Sequence, residues 1–269
     1  MLGTGTTVPK QMPHPFVVVI AAVVGLVMGS FATVVVWRVP RSESIVRPSS
    51  HCPSCSAPVK PWDNIPVLSF VLLRGRCRSC GVRIGWRYPL VELAVAALFV
   101  AVALRLSDWD VPAYCGLALA LVVLSWIDLE HQRLPVVIVY PAIAAGAALL
   151  VMASAGTGDW HAVLRALVGG LAGFLLFAGI FYATRGGMGF GDVRLAGLCG
   201  MFLAYLGWRH VAVGFLATAV FAGVVAIALV ATGRAGRKTR IPYGPFMAAG
   251  TMVAVLWGAG IAHIWLGSH

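Results

Sequence analysis

The stretch that decides the fold is FVVVIAAVVGLVMGSFATVVVW, residues 16–37, which contains 22 residues and no charged side chain. A helix that rises 1.5 Å per residue needs about 20 apolar residues to cross the hydrocarbon core of a bilayer. A secretory signal peptide has a shorter apolar core and a basic flank before it, whereas here Arg38 and Arg41 follow the run. We therefore interpret residues 16–37 as a first transmembrane helix.

Similar apolar runs continue along the chain. Of the 269 residues, 60% are hydrophobic and only 11% are charged, and the mean hydropathy is +0.90. A soluble domain has about 25% charged residues, so the composition excludes an ordinary soluble protein. Further spans are predicted at about 89–106, 112–127, 135–154, 162–183, 190–208, 211–231 and 243–265. The predicted fold class is an all-α polytopic membrane protein with about eight transmembrane helices.

The distribution of Lys and Arg predicts the orientation of these helices, because basic residues concentrate in cytoplasmic loops. With the N-terminus outside, the inner segments are 38–88, 128–134, 184–194 and 232–240. These segments contain 16 of the 20 basic residues, and those left outside are Lys10, Arg105, Arg165 and Arg209. The bias places both termini outside. It also accounts for the net charge of +11 through topology and attraction to anionic lipid, so no nucleic-acid partner is expected.

Residues 38–88 form the long polar stretch between the first two predicted spans. We expect three parts: an N-terminal tail with the first helix (1–37), a cytoplasmic domain (38–88) and a transmembrane domain (89–269). An insert of about 50 residues is near the lower limit for a domain that folds alone. A bound metal ion is one way to stabilise so small a domain.

Two cysteine pairs in this insert have the spacing of a metal site. The motifs CPSC and CRSC give the pattern C-x2-C-x21-C-x2-C, with ligands Cys52, Cys55, Cys77 and Cys80. Four thiolates suit a tetrahedral Zn²⁺, and they leave no open position for catalysis, so a structural site is predicted. Two disulfides are the alternative, which the reducing environment of the cytoplasm disfavours.

The chain has nine acidic residues, and four of them fall near the inner membrane boundary: Glu92, Asp128, Glu130 and Asp192. The simpler interpretation of Glu130 is an exposed loop charge, and that of Glu92 is an ion pair with a nearby arginine. Asp128 and Asp192 are embedded in apolar or glycine-rich sequence, where a carboxylate is costly and usually functional or paired. If they face each other, they share a proton, so that one can activate water while the other polarises a carbonyl.

The segment before Asp192 reads GMGFGD, with glycines at Gly187, Gly189 and Gly191. Glycine allows positive φ and close approach of another backbone. We therefore expect the helix to break here beside a water-filled cavity, the place where such a break is tolerated at membrane depth. The exposed backbone can then pair with an extended substrate. A phosphate-binding loop is excluded, because no Walker lysine follows.

Taken together, these motifs resemble the type IV leader peptidase (prepilin peptidase) family of intramembrane aspartic proteases. The resemblance covers nearly the whole chain. Besides the cysteine pairs and GMGFGD it is carried by GSF (29–31), WRVP (37–40), DNIPVLSF (63–70), WRYPLVEL (86–93), IDLEHQRLP (127–135) and IPYGPF (241–246). The chain departs from the family pattern at Val136, where Asp or Asn is common, and at Arg194, where Lys is common.

The resemblance implies a function, a location and partners. Asp128 and Asp192 match the two catalytic aspartates of the family, which cleave the basic leader of prepilins or pseudopilins at the cytoplasmic face of the bacterial inner membrane. Members with the cysteine-rich insert also N-methylate the new amino terminus with S-adenosylmethionine. The sequence contains no glycine-rich nucleotide fingerprint that would locate the methyl donor.

Two alternatives come from other functional classes. A proton-coupled transporter should have inverted repeats and charges near the membrane midplane, whereas these carboxylates cluster at one face. A pilus or secretion assembly protein without chemistry would not need the intact pair of aspartates. The peptidase is therefore the favoured function.

Overall fold

The computed structural model describes residues 15–184, 188–233 and 241–266. Eight long helices and one short helix dominate the described residues. They are α1 (Pro15–Arg38), α2 (Leu68–Leu72), α3 (Arg87–Arg105), α4 (Val111–His131), α5 (Val136–Thr157), α6 (Trp160–Ala183), α7 (Phe190–Leu206), α8 (Trp208–Ala231) and α9 (Gly244–Leu266). Two short 3₁₀ helices, Val39–Arg41 and Pro61–Asn64, lie in the insert, and these parts of the chain contain no β-strand.

The helices confirm the predicted fold class. Seven of the eight long helices are long and apolar enough to cross a membrane, so the protein is a multi-pass membrane protein. The exception is α7, which has 17 residues, the lower end of the length that spans a bilayer. Most of its side chains are buried against neighbouring helices. Helix α4 extends four residues beyond the predicted end of its span, so that Asp128 lies in its last turn.

The long helices pack in adjacent pairs, with α1 on α3, α6 on α7 and α8 on α9, while α4 contacts α1, α3, α5 and α9. Small residues permit this close packing, as is usual between membrane helices. At Gly29 of α1, a Cβ atom would lie only 2.7 Å from the Cα atom of Glu92 on α3. The inner halves of α1 and α3 are therefore in direct backbone contact.

A buried polar contact connects α4 to α7. The hydroxyl of Tyr114 donates a 2.8 Å hydrogen bond to the carbonyl of Phe202, and the two rings meet edge to face at 5.3 Å. Both side chains are almost completely buried. Because an unsatisfied hydroxyl would be costly in an apolar environment, this contact fixes the two helices that carry the aspartates relative to each other.

The two cysteine pairs of the insert form the same local turn. In each pair the amide of the first cysteine donates to the carbonyl five residues later at 2.9 Å, and its carbonyl accepts an amide four residues later. The residue after the second cysteine, Ser56 or Gly81, has a left-handed backbone. Residues 51–58 and 76–83 are each closed by an antiparallel bridge between their ends. The insert therefore contains a short internal repeat that presents two pairs of thiols.

Candidate active site

The structure places Asp128 and Asp192 along one cavity. Asp128 lies in the last turn of α4 and Asp192 in the first turn of α7, so the two helices bring them to the same end of the bundle. The two residues are 5% and 8% exposed. Both line a cavity of about 460 Å³, together with the α4–α5 connection at residues 132–135. The site therefore combines two nearly buried carboxylates with space for a substrate.

Backbone hydrogen bonds hold the Asp128 carboxylate and the main chain of Asp192. The amide of Gly244, at the start of α9, donates a 2.9 Å hydrogen bond to Asp128 Oδ2. The amide of Asp192 donates to the carbonyl of Gly189 at 3.0 Å. Among the described residues neither carboxylate forms an ion pair, and both line the same cavity. Two carboxylates in this situation cannot both ionise freely, so a shared proton is the expected state.

The glycines before Asp192 act through their lack of a side chain. Gly189 has φ of −72° and precedes the first residue of α7, and Gly191 is already helical. Of the two properties that glycine offers, positive φ is therefore not used at either position. Close approach is the reason for Gly191, since a Cβ atom there would lie 2.8 Å from Cβ of Leu134. Both glycines line the aspartate cavity, whereas Gly187 lies outside the described residues.

The other two carboxylates at the inner boundary have different surroundings. Glu130 is partly exposed and accepts hydrogen bonds from Arg87 at 2.9 and 3.1 Å and from Trp126 at 2.9 Å. The predicted ion pair of Glu92 is wrong for the described residues, because Glu92 instead accepts a 2.7 Å hydrogen bond from the amide of Val67. Neither residue lines the aspartate cavity.

The four cysteines of the insert form one cluster. Their sulfur atoms all lie within 4.8 Å of one another, and the sulfurs of Cys52 and Cys80 are 3.8 Å apart. Zinc–sulfur bonds of about 2.3 Å in a tetrahedron place the sulfurs about 3.8 Å apart. All four cysteines are free thiols. The cluster can therefore hold a metal ion, with dimensions that fit four thiolate ligands.

The pKa values of these thiols also favour the binding of a cation, because two of the four are lowered. Backbone amides within their own turns lower the pKa of Cys52 to about 6 and lower the pKa of Cys77. Although the Val82 amide acts in the opposite direction, burial and the neighbouring thiols raise the pKa of Cys80 to about 11. Four adjacent thiols cannot all ionise without a compensating positive charge, which a metal ion would supply.

Sequence reasoning missed two residues of the site, Leu134, which lines the aspartate cavity, and Gly244, which hydrogen-bonds Asp128. Gly244 stands in the motif IPYGPF, and no role was predicted for it, because a backbone donor leaves no trace in the identity of a side chain. In the sequence, Leu134 cannot be distinguished from any other apolar residue in a connection between two helices, here α4 and α5. The signal that could have indicated these contacts is the glycine in each. A Cβ atom at Gly244 would collide with Asp128, and a Cβ atom at Gly191 would collide with Leu134.

Family models and known proteins match this chain over most of its length. The model of the bacterial peptidase A24 N-terminal domain matches residues 23–106, and that of the type IV leader peptidase family matches residues 115–227. A prepilin leader peptidase/N-methyltransferase of Pseudomonas aeruginosa is 32% identical, over 94% of this chain and 95% of the relative. The chain belongs to the type IV leader peptidase family. Within this family it is also similar to proteins of the same description from two other bacteria.

The relative from Bacillus subtilis is 34% identical, over 90% of this chain and 95% of its own length. The relative from Myxococcus xanthus is 43% identical, over 84% of this chain and 67% of its own length. No solved structure gives a significant match. Membership of the type IV leader peptidase family therefore rests on sequence along nearly the whole chain.

Proposed function

We propose that this protein is a prepilin leader peptidase of the bacterial inner membrane, which uses Asp128 and Asp192 to cleave the leader of prepilin-like proteins and also N-methylates the new amino terminus. The single observation that carries the peptidase is the shared cavity, which is lined by two nearly buried carboxylates from different helices. Among the described residues neither carboxylate forms an ion pair, although Arg133 also lines the cavity. Methylation is supported by the relatives, which are described as prepilin leader peptidase/N-methyltransferases.

The proposed chemistry needs only the two carboxyl groups and water. One aspartate, ionised, accepts a proton from water, and the oxygen adds to the carbonyl carbon of the scissile peptide bond. The other, protonated, donates its proton to the carbonyl oxygen. The tetrahedral intermediate then collapses, and a proton passes to the leaving amine. The hydrogen bond from Gly244 holds Oδ2 of Asp128 and so fixes the orientation of this carboxyl group.

The location of the aspartates matches this substrate. The positive-inside bias puts the end of α4 and the start of α7 on the cytoplasmic side. A prepilin places its basic leader in the cytoplasm and its apolar segment in the bilayer, so the bond between the two lies at the depth of Asp128 and Asp192. We propose the domain limits 38–88 for the cytoplasmic domain and 89–269 for the transmembrane peptidase domain.

The experiment that tests this function is incubation of the purified protein with a prepilin and S-adenosylmethionine, followed by mass measurement of the product. Removal of the leader together with a mass gain of one methyl group at the new amino terminus is the expected result. Cleavage without methylation would remove the second activity. A prepilin that stays intact would remove the first.

We propose further that Cys52, Cys55, Cys77 and Cys80 bind one structural Zn²⁺. The support is the size of the cluster, the four free thiols and the two identical turns that present them. The ion would hold the two halves of the insert together and supply no chemistry at the aspartates. Metal analysis should find about one zinc per chain, and disulfides without metal would contradict the site.

A further inference from the structure

A second cavity, of about 560 Å³, lies between the insert and the membrane helices. Its walls come from the inner ends of α1 and α3 and from the cysteine-rich insert. Ligand sites for small molecules enclose roughly 300–1,000 Å³, so this cavity has a suitable size. Neither Asp128 nor Asp192 lines it. The cavity is therefore separate from the proposed peptidase site.

The charged residues that line this cavity are Arg38, Glu43, Lys60, Asp63, Arg78, Arg83 and Glu92, and Arg78 pairs with Asp63. Glu92 is the acidic residue among them that α3 contributes. The residue is 7% exposed and faces the cavity from α3. Its Oε2 accepts the 2.7 Å hydrogen bond from Val67, which ties the insert to the membrane helices. Among the described residues it forms no ion pair, because the nearby Arg87 is bonded to Glu130. A nearly buried carboxylate without an ion-pair partner favours a positively charged ligand.

Aromatic rings line the same cavity at Trp37, Phe70 and Tyr88. The guanidinium of Arg87 already lies 5.2 Å from the ring centre of Trp37 and 5.1 Å from that of Tyr88. Rings of this kind stack with planar heterocycles and attract cations. A ligand that combines a flat ring system with a positive charge would therefore meet both features of the wall.

The two cavities lie on either side of one short segment of chain. Trp37 and Arg38 line the larger cavity, and the next two residues, Val39 and Pro40, line the aspartate cavity. Arg38 is 7% exposed, and its guanidinium donates to two carbonyls of the insert at 2.8 and 2.7 Å. An amino terminus released at the aspartates therefore needs to pass only this segment to reach the larger cavity.

We propose that the larger cavity binds S-adenosylmethionine, with Glu92 facing its sulfonium charge, an inference that rests on the methyltransferase part of the proposed function. The new amino terminus first loses its ammonium proton to solvent. Its nitrogen lone pair then forms a bond to the methyl carbon while the carbon–sulfur bond breaks. The sulfur leaves as a neutral thioether, and the methylated ammonium keeps the positive charge beside Glu92.

The test compares two ligands that differ in charge. Equilibrium binding of S-adenosylmethionine and of its neutral thioether product, S-adenosylhomocysteine, is measured with the full-length purified protein. The wild type should prefer the sulfonium. Glu92→Gln keeps an acceptor for the Val67 amide but removes the charge, so affinity for S-adenosylmethionine should fall at least about tenfold. Affinity for S-adenosylhomocysteine should stay unchanged.

The matched control is Asp108→Asn, which makes the same carboxylate-to-amide change in the exposed loop between α3 and α4. It should alter neither affinity. Prepilin cleavage by Glu92→Gln reports separately on folding and on the peptidase, and it should continue. An unchanged preference for the sulfonium in Glu92→Gln would overturn the site and leave the proposed peptidase intact.

A second measurement does not depend on any variant. Ultraviolet cross-linking of S-adenosylmethionine to the wild type, mapped by mass spectrometry, should label peptides that contain Trp37, Phe70 or Tyr88. Labels confined to residues 132–135 or 188–192 would place the donor in the aspartate cavity and overturn the inference. Absence of both binding and methylation in the wild type would remove the methyltransferase proposal and this site together.

Discussion

The amide of Gly244 donates a 2.9 Å hydrogen bond to Oδ2 of Asp128, across 116 residues of sequence. Helix α9 begins at Gly244 and helix α4 ends three residues after Asp128, so the contact joins the ends of two helices at the aspartate cavity. It fixes the orientation of one carboxyl group of the proposed dyad. It also explains a glycine whose role the sequence does not reveal.

Gly244→Ala tests this contact. A Cβ atom at this position would lie 2.8 Å from Asp128 Oδ2, so the carboxyl group has to move. Small displacements of a catalytic group are costly, and we expect cleavage to slow by roughly 10- to 100-fold. Gly179→Ala in α6 is the control, because a Cβ atom there would meet nothing within 4 Å. Equal activity of the two variants would show that the contact does not matter.

Gly191 and Leu134 make a pair that can be tested by rescue. Gly191→Ala places a Cβ atom 2.8 Å from Leu134 Cβ at the edge of the aspartate cavity. We expect cleavage to fall because the α4–α5 connection is pushed away from α7. Adding Leu134→Gly removes the obstructing Cβ atom and should restore part of the activity in the double variant. If the double variant is no better than Gly191→Ala alone, steric conflict is not the cause.

Zinc binding should depend on pH in a defined direction. The ligands are thiolates, and the pKa of Cys52, at about 6, and that of Cys77 lie below the value of an unfolded thiol. Groups with a lowered pKa stabilise the folded insert at higher pH, and that contribution is lost as pH falls through about 6. Zinc content measured after dialysis should be complete near neutral pH and decline on acidification. A zinc content that does not change with pH would argue against thiolate ligands.

The membrane topology predicts which loops can be labelled from outside. A single cysteine introduced at Asp159, between α5 and α6, should react with an impermeant thiol reagent in intact cells of a background without native cysteines. A cysteine introduced at Ser42 in the insert should react only after the membrane is opened. The reverse labelling pattern would show that the topology is inverted and that the aspartates lie at the outer face.

The sequence predicts the helices and the location of the two aspartates at one end of the bundle well, because the physical signals are strong and local. A run such as residues 16–37 has few alternatives to a membrane helix. Asp128 and Asp192 each stand in surroundings where a carboxylate is costly, and only a paired or functional role fits. The spacing of the four cysteines likewise predicts the cluster that the structure shows.

The errors concern relationships between distant segments. An arginine was expected beside Glu92, but Arg87 lies at the start of α3 and pairs with Glu130 of α4 instead. The sequence left open whether Gly189 and Gly191 serve positive φ or close approach, and the structure shows that Gly191 is needed for space against Leu134. The partner of a charged residue and the space around a glycine depend on which helices pack together, and the identity of a single residue does not contain that information.

The measurement that tests the central claim most directly is prepilin cleavage by Asp128→Asn and by Asp192→Asn. Asparagine keeps the shape of each side chain and removes its proton exchange, so acid–base catalysis worth at least about 10²-fold should disappear. Both variants should remain folded in the membrane and leave prepilin intact, while Glu130→Gln should keep substantial activity. Cleavage by either aspartate variant at a rate near that of the wild type would contradict the aspartate dyad.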